Sequence, residues 1–348
     1  MGQAIPVAAL STAAELDLAV QAATPVIVRG LFDHWPALAA GRESPATLNR
    51  YLKSMDGGIP APVMEAPASR QGRFGYEPDL REFTFSKRQR PLTETLDRIE
   101  RQAHGSSDRA ASEEIPSGDG QAGRANAPVI AVQMLPLASH LPDFVRDNPL
   151  PLLPRVPPRL WLGGPVKTQI HHDPEHNLAC VIAGRRRFVL FPPEQVVNLY
   201  IGPIENPPPL SLVDLEAPDL ERFPRFASAL ATAVECELEP GEALFIPRHW
   251  WHHVTSLDPY NAMVNYWWGA YAPGLENPHD CFLAALLALK DLPPAERAYW
   301  QAMFNAFVFQ CDGDAVGHIP EELRGVLGPT DVSIRAALKQ KLKAGFLK

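Results

Sequence analysis

Short apolar runs separated by Pro and Gly fill the chain from Pro128 to about Tyr271. They are rich in Val, Ile, Phe and Trp, which is typical of strands in an antiparallel barrel or jelly roll. The segment Ile182-Ala-Gly-Arg185 between two of the runs predicts a tight hairpin. The pattern predicts nine strands, at residues 129–134, 160–162, 168–171, 177–182, 186–191, 233–238, 243–246, 251–256 and 262–268.

The first 127 residues have a mixed pattern, which predicts an α/β region. Ser11 followed by Glu15 predicts an N-capped helix, and Pro25 to Gly30 predicts a strand that ends in a turn. Helical spacing recurs over residues 46–55 and 92–102. Residues 103–127 are mostly Gly, Ser, Ala and charged residues with almost nothing to bury, which indicates a mobile surface loop.

After the strand-rich region of residues 128–272, the pattern becomes helical over residues 273–348. Leu292-Pro-Pro-Ala predicts a helix with Pro in its first turn. Two helical stripes of apolar residues occur in this region. They either close one end of the barrel or form a dimer interface, because large apolar patches on a free surface favour aggregation. The stripes consist of Tyr299, Trp300, Met303, Phe304, Phe307 and Val308, and then of Ile334, Leu338, Leu342 and Phe346.

Composition narrows the class of protein. Pro accounts for 37 of 348 residues, about twice its usual frequency, which argues against a helical bundle. The formal net charge of −8, with no long basic run, argues against nucleic-acid binding. The longest apolar run, Cys281 to Leu289, is far shorter than the ~20 residues that span a bilayer, so no membrane association is expected.

The amino terminus and the cysteines indicate the compartment. The first residues lack the basic start and apolar stretch of a signal peptide. Cys180, Cys236, Cys281 and Cys311 lie far apart without CxxC spacing, which is typical of free thiols. Both features favour a cytoplasmic location.

The candidate chemistry lies in two histidine motifs. His171 and Asp173 share a face if their segment is a strand, because alternate side chains point to the same side. A second imidazole is available from the run Trp250-Trp-His252-His253, where a strand allows only one of the two histidines to face inward and periodicity leaves the choice open. Two His and one carboxylate with open positions form the facial triad of non-haem Fe(II) oxygenases. These three ligands alone also permit a cupin that uses another divalent metal, or a binding module without activity.

Further motifs share one order and spacing with a known family. They are Thr168-x-x-His171-x-Asp173, Asn177, Gly184 to Pro193, Arg222-Phe-Pro, Pro240 to Pro247, Trp250 to His253 and Val264 to Trp267, with weaker matches at Gly30, His34 to Pro36 and Gly72 to Tyr76. The chain thereby resembles the cupin-like, Jumonji-C type 2-oxoglutarate oxygenases over most of residues 24–271, and in particular their asparaginyl hydroxylases. This resemblance implies a mainly β, double-stranded β-helix fold with a mixed α/β N-terminal region and C-terminal helices.

The resemblance also implies a cosubstrate site beside Fe(II). It makes His252, not His253, the third metal ligand after His171 and Asp173. The basic residue that holds the distal carboxylate of 2-oxoglutarate, usually Lys, corresponds to Arg186. Thr168 is implied to donate its hydroxyl, and Asn177 and Asn265 to line the pocket. The chain departs from the asparaginyl hydroxylases at Ala131, two residues before Gln133, where they have a Tyr that binds the cosubstrate.

The activity implied by the resemblance is hydroxylation with dioxygen, in which 2-oxoglutarate becomes succinate and CO2. A protein or peptide side chain is the expected substrate, with a small molecule as the alternative. Since the related asparaginyl hydroxylases dimerise through C-terminal helices, the resemblance implies a homodimer built from residues 276–348.

Overall fold

The computed structural model of the chain describes residues 3–77, 79–111, 127–204, 209–269, 276–311, 313–329 and 331–345. It contains two compact units, Met1–Gly269 and Ala270–Lys348. The first unit holds both the N-terminal region and the barrel.

The strands of the first unit form two sheets. One sheet has the order β1-β12-β11-β14-β9-β5, and the other has the order β2-β3-β13-β10-β15-β8-β7-β4-β6. This is the double-stranded β-helix that was predicted, and each of the nine predicted strands is present. The strands are β1 (Gln3–Ala4), β2 (Val7–Ala8), β3 (Val26–Arg29), β4 (Ala61–Ala66), β5 (Arg73–Phe74), β6 (Ser86–Arg90), β7 (Val129–Pro136), β8 (Pro158–Gly163), β9 (Lys167–His172), β10 (His176–Ala183), β11 (Arg186–Phe191), β12 (Val234–Leu238), β13 (Glu242–Ile246), β14 (Trp251–Ser256) and β15 (Asn261–Trp268).

In sequence, three helices of the first unit precede β4 and the others lie between later strands. Several of them pack against the larger sheet. Residues of α2, α3 and α4 share one apolar cluster with β7, β8, β10 and β15, which includes Trp35, Leu48 and Leu96. The helices are α1 (Ala13–Ala22), α2 (Pro36–Glu43), α3 (Pro45–Lys53), α4 (Leu92–Ala111), α5 (Leu137–His140), α6 (Pro142–Asp147) and α7 (Phe226–Thr232), with short 3₁₀ turns at Ala68–Arg70 and Pro193–Val197.

Two further apolar clusters involve the smaller sheet. Between the two sheets, Phe188 and Leu190 of β11 pack with Val181 of β10 and with Leu244 of β13. A third cluster joins β11 and β14 to α7 and the segment around Leu199. The first of these clusters fills part of the space between the two sheets.

Three predictions about local structure need correction. The N-cap of α1 is Thr12, not Ser11, although the carboxylate of Glu15 accepts from the backbone N–H groups of both. Residues 103–111 belong to α4, not to a loop, because Ala103 packs into the core; residues 112–126 of the predicted loop lie outside the described residues. The pattern also did not predict α2, β4 or β6.

The predicted hairpin between β10 and β11 was wrong in its pairing. The turn exists, with Gly184 at φ 64°, and a Cβ there would lie 2.2 Å from the carbonyl oxygen of Tyr260. However, β10 pairs with β13 and β15, whereas β11 pairs with β12 and β14. The turn therefore carries the chain from one sheet to the other, as consecutive strands of this fold require.

Alanine substitutions at two helical glycines are expected to change the stability of the fold in opposite directions. A Cβ at Gly41 in α2 would lie 2.0 Å from the carbonyl oxygen of Ile182, so Gly41→Ala should destabilise the fold by about 1–3 kcal/mol or more. Gly105 in α4 has open space around it, so Gly105→Ala should stabilise by up to ~1 kcal/mol through helix propensity. Urea unfolding of both variants checks this pair, and a stabilised Gly41→Ala would contradict the close contact of α2 with β10.

The second unit consists of α8 (Pro278–Leu289), α9 (Pro294–Phe307) and α10 (Val332–Gly345), with 3₁₀ turns at Glu321–Leu323 and Gly325–Leu327. The predicted Pro start of the middle helix is confirmed. None of these three helices contains a buried residue in its described part. No helix in the described part of the chain is long and apolar enough to cross a membrane.

Candidate active site

Two neighbouring strands of the smaller sheet bring the histidine motifs together. In the antiparallel pair of β9 and β14, His171 lies opposite His252, and Thr168 lies opposite Val254. Two residues of β9 therefore face the single residue His253. The extra residue in β9 forms a β-bulge. Because the bulge adds one residue, Thr168 and His171 both line the same pocket although they are three positions apart.

The side chains of His171, Asp173 and His252 converge at one point. Their nitrogen and oxygen ligand atoms all lie within 4.8 Å of one another. Nε2 of His252 is 3.6 Å from Oδ2 of Asp173, and the two imidazole centroids are 4.3 Å apart. In the part of the chain that the structure describes, no other group of three such residues could hold a metal ion.

Backbone carbonyls orient both imidazoles toward this point. Nδ1 of His171 bonds to the carbonyl oxygen of Gln169 at 2.9 Å, and Nδ1 of His252 bonds to that of Trp250 at 3.0 Å. A carbonyl only accepts, so each Nδ1 carries the hydrogen and each Nε2 offers its lone pair. Desolvation, together with the charge of His252, lowers the pKa of His171 to about 4, which keeps the imidazole neutral. This is the arrangement of metal-binding histidines whose second nitrogen is tied to the backbone.

A network of hydrogen bonds from amide and indole groups orients the carboxylate of Asp173. Its Oδ2 accepts from Nδ2 of Asn177 at 3.2 Å and from the indole N–H of Trp267 at 3.1 Å. Oδ1 of Asn177 accepts from Asn265, whose own Oδ1 accepts from the indole N–H of Trp161 at 2.7 Å. Asn177 and Asn265 both line the cavity beside the three side chains, and their hydrogen bonds also position the carboxylate. The parts of Trp161 and Trp267 in this network were not found from the sequence.

His253 faces a different part of the molecule. It lines a second cavity beside Lys167, Gln169 and Asp214, whereas His252 lines the cavity with Asp173. Its closest polar partner is Thr255, at 3.4 Å. Removal from water lowers the pKa of His253 to about 4. The structure thus brings His252, and not its neighbour, to His171 and Asp173.

Arg186 is a buried cation that faces the same pocket. Its side chain is 7% exposed, its Nε has no hydrogen-bond partner, and its other contacts are weak: Met263 Sδ at 3.8 Å and the Trp161 carbonyl at 3.5 Å. The adjacent Arg185 and Arg187 are exposed and paired with Asp258 and Glu235, but Arg186 forms no ion pair with any described carboxylate. Burial lowers the pKa of Arg186 to about 10, so it is still charged at neutral pH. An anion in the pocket would offset the cost of burying this charge.

The pocket that joins these groups has an empty volume of about 600 Å³, including its open side. Ala131 and Gln133 of β7 line it, together with Thr168 and Ser256. Ala131 lies opposite Gly163 in β8, so two of the smallest residues meet at this wall of the pocket.

Comparison with known proteins agrees with this geometry. Residues 12–272 match the family model of the cupin-like domain. The chain belongs to the cupin-like domain family. Similar proteins include HSPB1-associated protein 1 of Homo sapiens (43% identical over 112 residues, 31% of this chain and 22% of that protein) and lysine-specific demethylase JMJ31 of Arabidopsis thaliana (40% over 110 residues, 31% and 20%). JmjC domain-containing protein C of Dictyostelium discoideum is 33% identical over 144 residues, 38% of this chain and 34% of that protein.

These relatives are matched only over a part of their length. The aligned segment spans between 20% and 34% of the three proteins. The similarity thus supports a shared JmjC-type core, and the activity of the cupin-like chain has to be argued from its own residues.

Proposed function

We propose that the protein is an Fe(II)- and 2-oxoglutarate-dependent oxygenase that hydroxylates a protein or peptide side chain. One observation carries the proposal: a pocket with two imidazoles and a carboxylate at one point also contains a buried arginine that pairs with no described carboxylate. The first group is the donor set that Fe(II) oxygenases use, and the second requires an anion. A dicarboxylate cosubstrate satisfies both requirements in one molecule.

His171, Asp173 and His252 would hold the iron. When bound there, Fe(II) supplies the activation of dioxygen that couples conversion of 2-oxoglutarate into succinate and CO2 to hydroxylation of a C–H bond. Asn177 and Trp267 fix the carboxylate orientation through their hydrogen bonds to Oδ2. The backbone partners of the two imidazoles fix their tautomers.

Arg186 would bind the distal carboxylate through Nε–H and an Nη–H, because a guanidinium offers paired donors that match both oxygens. Thr168 would add its hydroxyl from the same pocket wall. Apolar neighbours such as Phe188, Val254 and Met263 line the pocket as well, so they exclude water from these charged contacts.

Two other functions use part of the same pocket. A cupin that binds a different divalent metal, or a module without catalysis, requires the three ligands but leaves the buried Arg186 without a role. A small-molecule hydroxylase needs every group discussed, so it differs only in substrate. Names of relatives such as lysine-specific demethylase favour a protein substrate.

Succinate release tests the proposal. Purified protein with Fe(II), ascorbate and 2-oxoglutarate should form succinate under air, slowly without substrate and faster with it. Omission of iron or replacement of air by nitrogen should abolish the product. Tight metal binding without any dioxygen-dependent succinate would contradict the oxygenase and favour a metal-binding cupin.

We also propose that the protein works in the cytoplasm, which is consistent with its four free cysteines. We further propose that it is a homodimer through residues 276–348. Large apolar side chains of this unit are exposed, among them Leu287 at 79%, Tyr299 at 58% and Leu342 at 59%. Phe346 of the predicted stripe lies outside the described residues.

A double substitution tests the dimer. Leu338→Arg with Leu342→Arg places charges on the apolar stripe of α10, and a two-fold interface would meet each charge twice, so the dimer should dissociate to monomers. Ala336→Arg with Gln340→Arg adds the same charge on another stripe of α10 and should stay dimeric. Light scattering measures both, and an intact protein that is monomeric at micromolar concentration would contradict the dimer.

A further inference from the structure

A second arginine lies on the pocket face of β8. Arg159, Trp161 and Gly163 point to the same side of this strand, and the latter two line the pocket. Arg159 lies opposite Asn265 in the pairing of β8 with β15. Arg159 is therefore the next residue before Trp161 on the face of β8 that carries the candidate active site.

The guanidinium of Arg159 stacks on an aromatic ring of the site. Its Cζ is 4.9 Å from the centroid of Trp267, the residue whose indole N–H holds Asp173. Stacking uses the flat face of a guanidinium and leaves the N–H groups at its edge free for a planar anion. No described carboxylate forms an ion pair with Arg159, whose contact is with the ring of Trp267.

Arg159 and Arg186, which pair with no described carboxylate, contact different residues of β15. Arg186 contacts Met263, whereas Arg159 contacts Trp267, and these two residues are four positions apart in β15. At ~3.3 Å per residue the Cα atoms of these two residues are roughly 13 Å apart, so the two arginines contact different parts of β15. An anion bound at the edge of Arg159 would lie near Trp267, and not at Met263, which Arg186 contacts.

We propose that Arg159 is a specificity residue that selects an acidic peptide, by binding an Asp or Glu side chain close to the residue that is hydroxylated. The inference rests on the proposed function, because it takes the peptide to be the substrate of the same site. Pre-stacking on Trp267 lowers the cost of ordering Arg159, and the paired donors at its edge match a carboxylate. The net charge of −8 disfavours a polyanion such as RNA, whereas a local arginine can still bind a single carboxylate.

Selection from a random decapeptide library tests this inference. The full-length protein is immobilised, loaded with Mn(II) and 2-oxoglutarate so that peptides bind without turnover, and the retained peptides are sequenced by mass spectrometry. The wild type should enrich Asp and Glu several-fold over the input. Arg159→Gln should bring this enrichment back to the input level, and Arg159→Glu should enrich Lys and Arg instead, as expected for a reversed charge.

Arg225→Glu is the matched control. Arg225 also stacks on a ring, with Cζ 4.7 Å from the centroid of Tyr200, but Tyr200 does not line the pocket, whereas Trp267 does. This variant should retain the wild-type set of peptides. Circular dichroism of the two Arg159 variants checks that each is folded before selection.

Several outcomes would overturn the inference. It fails if the wild type shows no acidic enrichment, or if folded Arg159→Gln retains the same peptides as the wild type. Retention of random single-stranded RNA that is lost in Arg159→Gln would replace the peptide by a nucleic acid. These results are separate from the succinate assay: a protein that makes succinate but shows no acidic preference refutes only the role of Arg159, and one that makes none refutes the proposed function.

Discussion

Asp173→Ala and His171→Ala are each expected to remove tight Fe(II) binding while the protein still folds. Each change deletes one of three ligands, so the loss of affinity should exceed the ~10–100-fold that follows loss of an outer hydrogen-bond partner of a ligand. The fold should persist because neither residue belongs to the apolar clusters of the barrel. Metal analysis after dialysis, with thermal unfolding of the same samples, measures both parts.

Glu175→Ala provides the control for this experiment. Glu175 is a carboxylate two residues after Asp173 and is not part of the group of ligands. Its loss should leave metal content unchanged. Iron at wild-type stoichiometry in both His171→Ala and Asp173→Ala would exclude the proposed triad.

The alternation of side chains along strands accounts for what could be predicted of the site. Because the barrel strands are short and bounded by Pro and Gly, their positions followed from the pattern alone. The i, i+2 relation predicted that His171 and Asp173 point together, and the structure brings them together. The choice of His252 over His253 depended on the resemblance, since alternation allows either.

Other parts of the site depend on contacts between distant segments. The bulge that brings Thr168 to the side of His171 arises from the pairing of β9 with β14, which lie about 80 residues apart in sequence, and has no local signal. The hydrogen bonds of Trp161 and Trp267 also join separate strands. Tryptophans in a barrel pattern are more often core residues, so their roles appear only once β8, β10 and β15 are adjacent.

The local pattern also could not predict which sheet each strand joins. A Gly-containing turn between two apolar runs has the same sequence signal whether the runs pair with each other or enter opposite sheets. In this protein β10 and β11 enter opposite sheets, and this places Asn177 and Arg186 on facing walls of one pocket. The error about the hairpin and the convergence of the two residues thus have the same cause.

Arg186→Ala is expected to raise the concentration of 2-oxoglutarate required for turnover, without loss of iron. Removing one partner of a buried, hydrogen-bonded charge pair costs on the order of 2–5 kcal/mol. This corresponds to roughly a 30- to 5000-fold weaker binding. The 2-oxoglutarate requirement of Arg186→Lys should lie between those of the wild type and Arg186→Ala, because lysine keeps the charge but loses the second, parallel donor. Titration of 2-oxoglutarate against succinate release, with metal content determined in parallel, measures the change.

Arg187→Ala tests whether the effect belongs to the buried arginine alone. Arg187 is the next residue and carries the same charge, but it points outward and is paired with Glu235 at the surface. Because the alternation of β11 sends these two guanidiniums to opposite sides, only Arg186 can reach the carboxylate of a cosubstrate held beside His171 and Asp173. An unchanged titration in Arg186→Ala would mean that the pocket binds its anion elsewhere. A shift of equal size in Arg187→Ala would show instead that net charge, and not a direct contact, controls cosubstrate affinity.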